Sequence, residues 1–171
     1  MPKMIAHLRD EILAVGKEQL LSGGEITIRT VAAACGIASG TVYNYFSSKE
    51  ELIAYILLED WRTVLAGVRK ESAHVPDCLS LLRLLYDGIS SFHRRYEKVF
   101  SSSTARVSPV YHRQLITSLT EVIRPALSLP ENLSGEDPSV FLAEAVLHAA
   151  TGNLYSFEQL APFLAKIIRM D

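Results

Sequence analysis

The chain has 171 residues, a formal charge of −2 and 49% hydrophobic residues. That is enough apolar material for one mid-sized core or two small helical domains, and it excludes a disordered chain. Its two cysteines, Cys35 and Cys78, have no metal-ligand spacing and build no disulfide framework.

Those cysteines read as reduced, buried thiols, with a redox sensor as the minor alternative. No apolar run approaches the roughly 20 residues that span a bilayer. Lys3 is followed closely by Arg9, Asp10 and Glu11, so no signal peptide is expected and the expected location is cytoplasmic, with no membrane partner.

In chain order, Ile5, Leu8, Ile12, Val15 and Leu20 recur at helical spacing and predict a helix over 4–21, ended by Ser22-Gly23-Gly24. Lys3 and His7 lie near its start. Residues 26–52 then read as two short helices joined by a tight turn and followed by a longer helix. Thr27 is a candidate N-cap, with Ile28, Val31 and Ala32 on one apolar face. Gly36 supplies the left-handed backbone that stops a helix, and Ile37 plugs the core beneath the turn. The second short helix, 39–46, turns Val42 and Phe46 inward and exposes Ser39, Thr41, Tyr43, Asn44 and Tyr45. Ser48 with Glu51 forms an S-x-x-E capping box for the third.

The exposed set can bond to phosphate oxygens and to base edges. No acid occurs from residue 26 to residue 48, and the two cations of the 26–52 window are Arg29 and Lys49, with Glu50 and Glu51 following at the start of the next helix. An acid-free, hydroxyl-rich helix after a glycine turn suits a helix-turn-helix that enters the major groove. A helical corner facing water is the bland alternative.

The chain continues with a helix over 49–70, whose stripe from Leu52 and Ile56 to Leu65 and Val68 is wide enough to serve two cores. A linker around Val75-Pro76-Asp77 precedes a helix over 76–96. Residues 97–108 read as irregular, with the polar run Ser101-Ser102-Ser103-Thr104, and a helix follows over 109–127. Residues 128–137 read as a loop with Pro130, Asn132 and Gly135. Asp137-Pro138 opens a helix over 138–154, as N-cap and first-turn proline. Ser156 with Gln159 caps the last helix. No strand pattern and no repeat appears, so the expected fold is all-α.

The window resembles the DNA-binding domain of the tetracycline-repressor (TetR) family of bacterial transcription regulators. The resemblance rests on Thr27-Ile28-Arg29, Val31-Ala32, Gly36-Ile37, Gly40-Thr41-Val42-Tyr43, Tyr45-Phe46 and Lys49-Glu50-Glu51-Leu52. It covers roughly the first third of the chain; the remainder fits by helical pattern.

The resemblance implies three parts: a helix-turn-helix domain over 1–48, a connecting helix over 49–70, and an effector-binding and dimerisation domain over 71–171. It implies phosphate contacts from Thr27, Arg29, Tyr45 and Lys49. Thr41, Tyr43 and Asn44 would face bases or backbone, with Ser39 and Gly40 where the helix meets the groove. Ala38 departs from the usual capping serine or threonine, so Ser39 is a candidate cap in its place.

The last two helices are apolar on wide arcs, more than a monomer of this size hides. Phe141, Leu142, Ala145, Ala149 and Gly152, with Leu160, Phe163, Leu164 and Ile167, are therefore expected in a four-helix homodimer interface, as the resemblance also implies. Such a dimer would read two half-sites of a near-palindromic double-stranded operator. Tyr86, Phe92, Tyr96, Phe100, Tyr111 and His112 are candidates to line a pocket for a small-molecule effector, with ordinary core packing as the alternative.

The charge is an objection to DNA binding. Residues 1–55 hold five Lys/Arg and six Asp/Glu, where a dedicated DNA binder is often strongly basic. Few phosphate cations imply a shallow salt dependence, with hydroxyls and backbone amides sharing the phosphates. The rival reading is a TetR-like protein-interaction co-regulator or activator that senses no ligand. No G-x-S-x-G, phosphate-binding glycine loop or H-E-x-x-H occurs, so no enzyme, cofactor or metal is expected.

Overall fold

The computed structural model describes residues 6–23, 26–101, 109–127, 137–152 and 155–168. Lys3, Ser102 to Thr104, and the loop residues Pro130, Asn132 and Gly135 lie outside that set. All regular structure among the described residues is helical, as the periodicity predicts: α1 (Ala6–Leu21), α2 (Ile28–Ala34), α3 (Ser39–Tyr43), α4 (Lys49–Ser72), α5 (Cys78–Arg95), α6 (Glu97–Ser101), α7 (Pro109–Ile123), α8 (Pro138–Gly152) and α9 (Phe157–Ile168). Two differences from the sequence reading stand out. The stretch after α5 is not irregular throughout, because Glu97–Ser101 winds into a short helix. The seventh helix gives way to a 3-10 turn at Arg124–Ala126, where Pro125 cannot donate to a helical ladder.

The helices form two compact units that do not follow chain order. An N-terminal unit holds Met1–Trp61 with Arg95–Ser108, and a C-terminal unit holds Arg62–Arg94 with Pro109–Asp171. Helix α4 therefore serves both cores with its two halves.

In the N-terminal unit, Ile12 and Leu13 of α1, Val31 of α2, Val42 of α3, and Leu52 and Ile56 of α4 share one buried core. Gly16 lets α1 and α4 come close; a methyl group there would lie 2.6 Å from Ile56 Cδ1. Arg9 adds a cationic brace on α1, its guanidinium 4.8 Å from the Tyr55 ring centre and 5.7 Å from that of Phe46.

In the C-terminal unit, α5 buries Leu81, Leu82, Leu85, Ile89 and Phe92 along one stripe. Gly88 faces the second half of α4, where a Cβ would sit 3.2 Å from Val64 Cγ1. A clasp joins α5 to the start of α9. Tyr86 donates to the Tyr155 carbonyl (2.8 Å), and Arg83 pairs with Glu158 (2.6 Å) while lying over the Phe157 ring. Both expected caps form: Asp137 Oδ1 accepts from the Ser139 amide (2.9 Å), and Gln159 Oε1 accepts from the Ser156 amide (2.9 Å).

Cys78, the first residue of α5, is buried, and burial together with Asp77 pushes its thiol up to about 11. Because the folded value lies above the ordinary thiol value of about 8.5, the fold prefers the protonated thiol. The stabilisation is complete below the ordinary value and is lost as pH rises through the folded one. Thermal midpoints should fall between those two pH values, and Cys78→Ala should flatten that alkaline loss.

Candidate nucleic-acid interface

The candidate reading surface is assembled by local backbone chemistry. Thr27 caps α2 from an extended conformation. The Thr30 amide donates to Thr27 Oγ1 and the Thr27 amide donates to Thr30 Oγ1, both at 3.0 Å. Gln19 of α1 holds this cap from behind, its amide donating to the Thr30 carbonyl (3.1 Å) and its Oε1 accepting from the Thr30 hydroxyl (2.9 Å).

The turn between α2 and α3 is a Schellman motif. Gly36, at φ +66°, donates to the Ala33 carbonyl (3.2 Å), and Ile37 donates to that of Ala32 (3.0 Å). A side chain at Gly36 would be strained in that left-handed backbone. Ile37 then packs against the core of the unit.

Helix α3 is one and a half turns long, and its orientation is set from below. Val42 and Phe46 are fully buried, as predicted. The opposite side presents Tyr43, 54% exposed, with Asn44 and Gly40 also exposed and Ser39, Thr41 and Tyr45 half-buried. Arg29 is exposed, and Thr27 and Lys49 are half-buried. Ser39 does not cap the helix as the sequence reading suggested. Ala38 occupies the N-cap position at φ −74° and ψ 146° with no side-chain hydrogen bond, so Ser39 is the first helical residue. The helix is held by main-chain bonds instead, with the Thr41 amide donating to the Ala38 carbonyl (2.9 Å).

The capping box before α4 is shared. The Glu51 amide donates to Ser48 Oγ (3.1 Å), while the Glu51 carboxylate accepts from the amide and hydroxyl of Ser47 (both 2.5 Å). Those bonds hold the Glu51 carboxyl below the ordinary carboxylate range, which keeps it ionised and tied to the start of α4. In Cys35, which closes α2, burial and then Glu11 push the thiol up. That favours the inert thiol over the reactive thiolate.

Residues 12–56 match the family of bacterial regulatory proteins, tetR family. These residues form a TetR-family domain. The matched family is one of regulatory proteins, not of enzymes. HTH-type transcriptional repressor KstR2 of Mycolicibacterium smegmatis is 34% identical over 64 residues, covering 35% of this chain and 31% of that protein. The match thus spans about a third of the relative's length.

Two solved structures resemble the fold of the chain over nearly its whole length. The transcriptional regulator FadR from Bacillus subtilis, in complex with stearoyl-CoA, has a TM-score of 0.58 at 14% identity and covers 94% of this chain and 97% of its own. The fatty acid degradation regulator FadR from Bacillus halodurans has a TM-score of 0.53 at 16% identity, with 98% and 96% covered. At such identities the likeness concerns the fold.

Beyond the TetR-family domain, the remaining sequence-predicted residues divide by environment. Of the expected dimer set, Phe141 (59% exposed) and Phe163 (65%) stand out from the surface of the C-terminal unit, with Gly152 also exposed and Ala145, Leu160 and Ile167 half-buried. Leu142, Ala149 and Leu164 are buried in the unit's own core, so they offer no surface to a second chain. The apolar arcs of α8 and α9 are wide, and these three lie on the part that the monomer itself covers.

The six pocket candidates are distributed over both units. Tyr86, Phe92, Tyr111 and His112 belong to the C-terminal unit, and Tyr96 and Phe100 to the N-terminal one. Tyr86 is engaged by the Tyr155 carbonyl and Tyr96 by Asp60 Oδ2 (3.1 Å), while Phe92 and Tyr111 are buried. Exposed His112 lies 3.1 Å from Glu144 Oε1. Among the described residues, no three His, Cys, Asp or Glu side chains are grouped to hold a metal ion, and no helix is long and apolar enough to cross a membrane.

Proposed function

We propose that this chain is a sequence-specific DNA-binding transcription regulator that acts as a homodimer on a near-palindromic operator. The observation that carries the reading is the TetR-family match at residues 12–56, on a helix-turn-helix whose second helix turns Tyr43 and Asn44 to solvent over a buried Val42 and Phe46.

Thr41, Tyr43 and Asn44 read the major groove, and Thr27, Arg29, Tyr45 and Lys49 hold phosphates. Gly40 supports close approach of a DNA backbone. Its φ is not positive and a Cβ there would meet nothing within 4 Å, so no internal packing calls for glycine. Residues 1–48 act as the reading head, 49–70 as the connecting helix and 71–171 as the effector-binding and dimerisation region. Exposed Phe141 and Phe163 support pairing of α8 and α9 with their copies in a four-helix interface about a twofold axis. The regulator acts as a repressor, a sign supported by the relative that is itself a repressor. A small molecule bound in the C-terminal region releases it, to the extent that the molecule prefers the non-binding state. The protein works in the cytoplasm.

Selection from a random duplex pool tests the reading. Enrichment of a palindrome with half-sites about one helical turn, roughly 34 Å, apart supports it. No enrichment at low salt contradicts it and favours a co-regulator that works through a protein partner.

A further inference from the structure

Among the described residues, Asp60 is the one buried charged side chain, 3% exposed. A lone carboxylate in such a place is costly unless paired and hydrogen-bonded. Asp60 lies in the middle of α4 and has three partners, all within the N-terminal unit. One oxygen meets the ammonium of Lys17 from α1. The other accepts from Arg95 Nη1 (2.8 Å) and from the Tyr96 hydroxyl (3.1 Å), at the corner between α5 and α6. Burial pushes the Asp60 carboxyl up, but the bonds from Lys17, Arg95 and Tyr96 outweigh it and hold the group below the ordinary carboxylate range. Burial and the Asp60 charge push the Tyr96 phenol up, which keeps it a donor.

Lys98 of the same corner also comes near the end of α1. Lys98 Nζ of α6 lies 2.9 Å from where a Gly23 Cβ would be, just past the last turn of α1. A cation there favours the negative end of the helix dipole. Helix α1 in turn carries Gln19, two residues beyond Lys17, whose side chain holds Thr30 and through it the Thr27 cap of the reading domain.

We propose that Asp60 is the centre of a clamp that positions the reading head. It fixes α1 through Lys17 and the 95–98 corner through Arg95 and Tyr96, so that DNA affinity depends on side chains that never touch DNA. The proposal rests on the DNA-binding reading above. It makes Lys17, Asp60, Arg95 and Tyr96 positioning residues rather than contacts.

Arg95 is the residue to vary, because its side chain is 44% exposed and its loss leaves Lys17 and Tyr96 on the carboxylate. Arg95→Gln should fold and dimerise as the parent does, bind the selected duplex about tenfold more weakly, and keep the parent's salt slope. Arg95→Lys should recover most of the affinity. Lys17→Gln should behave likewise, and the double variant should lose less than the two single losses combined, because both act through Asp60.

Parental affinity in Arg95→Gln overturns the proposal. So does a salt slope reduced by about one per protomer, which would make Arg95 a phosphate contact. Amide hydrogen exchange of the free protein separates this proposal from the DNA-binding reading. Arg95→Gln should speed exchange over the last turns of α1 and over α2, and unchanged exchange rejects the clamp whether or not DNA is bound. Faster exchange in a protein that binds no duplex keeps the clamp and rejects the DNA-binding reading.

Discussion

Tyr43→Ala should abolish sequence-specific DNA binding while leaving the fold and the dimer intact. Tyr43 is 54% exposed on α3, so its ring contributes little to the core. The orientation of α3 comes from Val42 and Phe46 beneath it and from the Schellman turn ahead of it, none of which the substitution touches. A base-edge or groove contact contributes about 1–3 kcal/mol. A twofold dimer loses it twice, so the expected loss is about 2–6 kcal/mol of specific binding, at least thirtyfold in affinity. Non-specific binding, carried by cations such as Arg29 and Lys49, should persist. An electrophoretic or anisotropy titration against specific and scrambled duplexes reads both. Normal specific binding would mean that α3 is not the reading helix.

The second large effect is expected at the C-terminal end of the chain. Phe163→Asp, alone or with Phe141→Asp, should dissociate the dimer. These phenylalanines are 65% and 59% exposed, so the monomer has little packing to lose. Burying a phenylalanine side chain contributes about 1.5–3 kcal/mol, and each substitution acts on both copies in a twofold interface. The carboxylate adds the cost of an unpaired charge placed against an apolar face. Together these should raise the dimer dissociation constant by two or more orders of magnitude, measurable by sedimentation. Operator affinity should fall with it, since the second half-site is no longer held at high effective concentration. A Phe163→Asp chain that remains dimeric would place the interface elsewhere.

The parts of this fold legible in the sequence are those fixed by short-range chemistry. The Thr27 cap, the glycine turn at Gly36, and the Asp137 and Ser156 helix starts each need only residues two to four positions apart, so spacing reveals them. The short α6 was hidden for the opposite reason: five residues, Glu97–Ser101, are too few to show a helical period. Ala38 misled because a missing capping side chain suggests a shifted start, whereas main-chain bonds suffice to begin α3 at Ser39. In α8 and α9, periodicity identifies apolar residues but not which arc a helix buries in its own unit. Leu142, Ala149 and Leu164 went inward and Phe141 and Phe163 did not. The partners of Asp60 have no sequence signal, since Lys17, Arg95 and Tyr96 lie 43, 35 and 36 residues away and no spacing rule links them. The aromatic residues scattered over α5 to α7 look alike in sequence, yet Tyr86 and Tyr96 are tied to different partners in different units.

The most direct test of the account is an equilibrium titration of the selected duplex at several salt concentrations, with stoichiometry measured alongside. Arg29 and Lys49 are the two cations of the reading window, and a dimer brings four. Two chains per duplex and a shallow slope of log K against log salt, about −4, are therefore expected. Saturation at one chain per duplex, or no retention of any duplex at low salt, would contradict it.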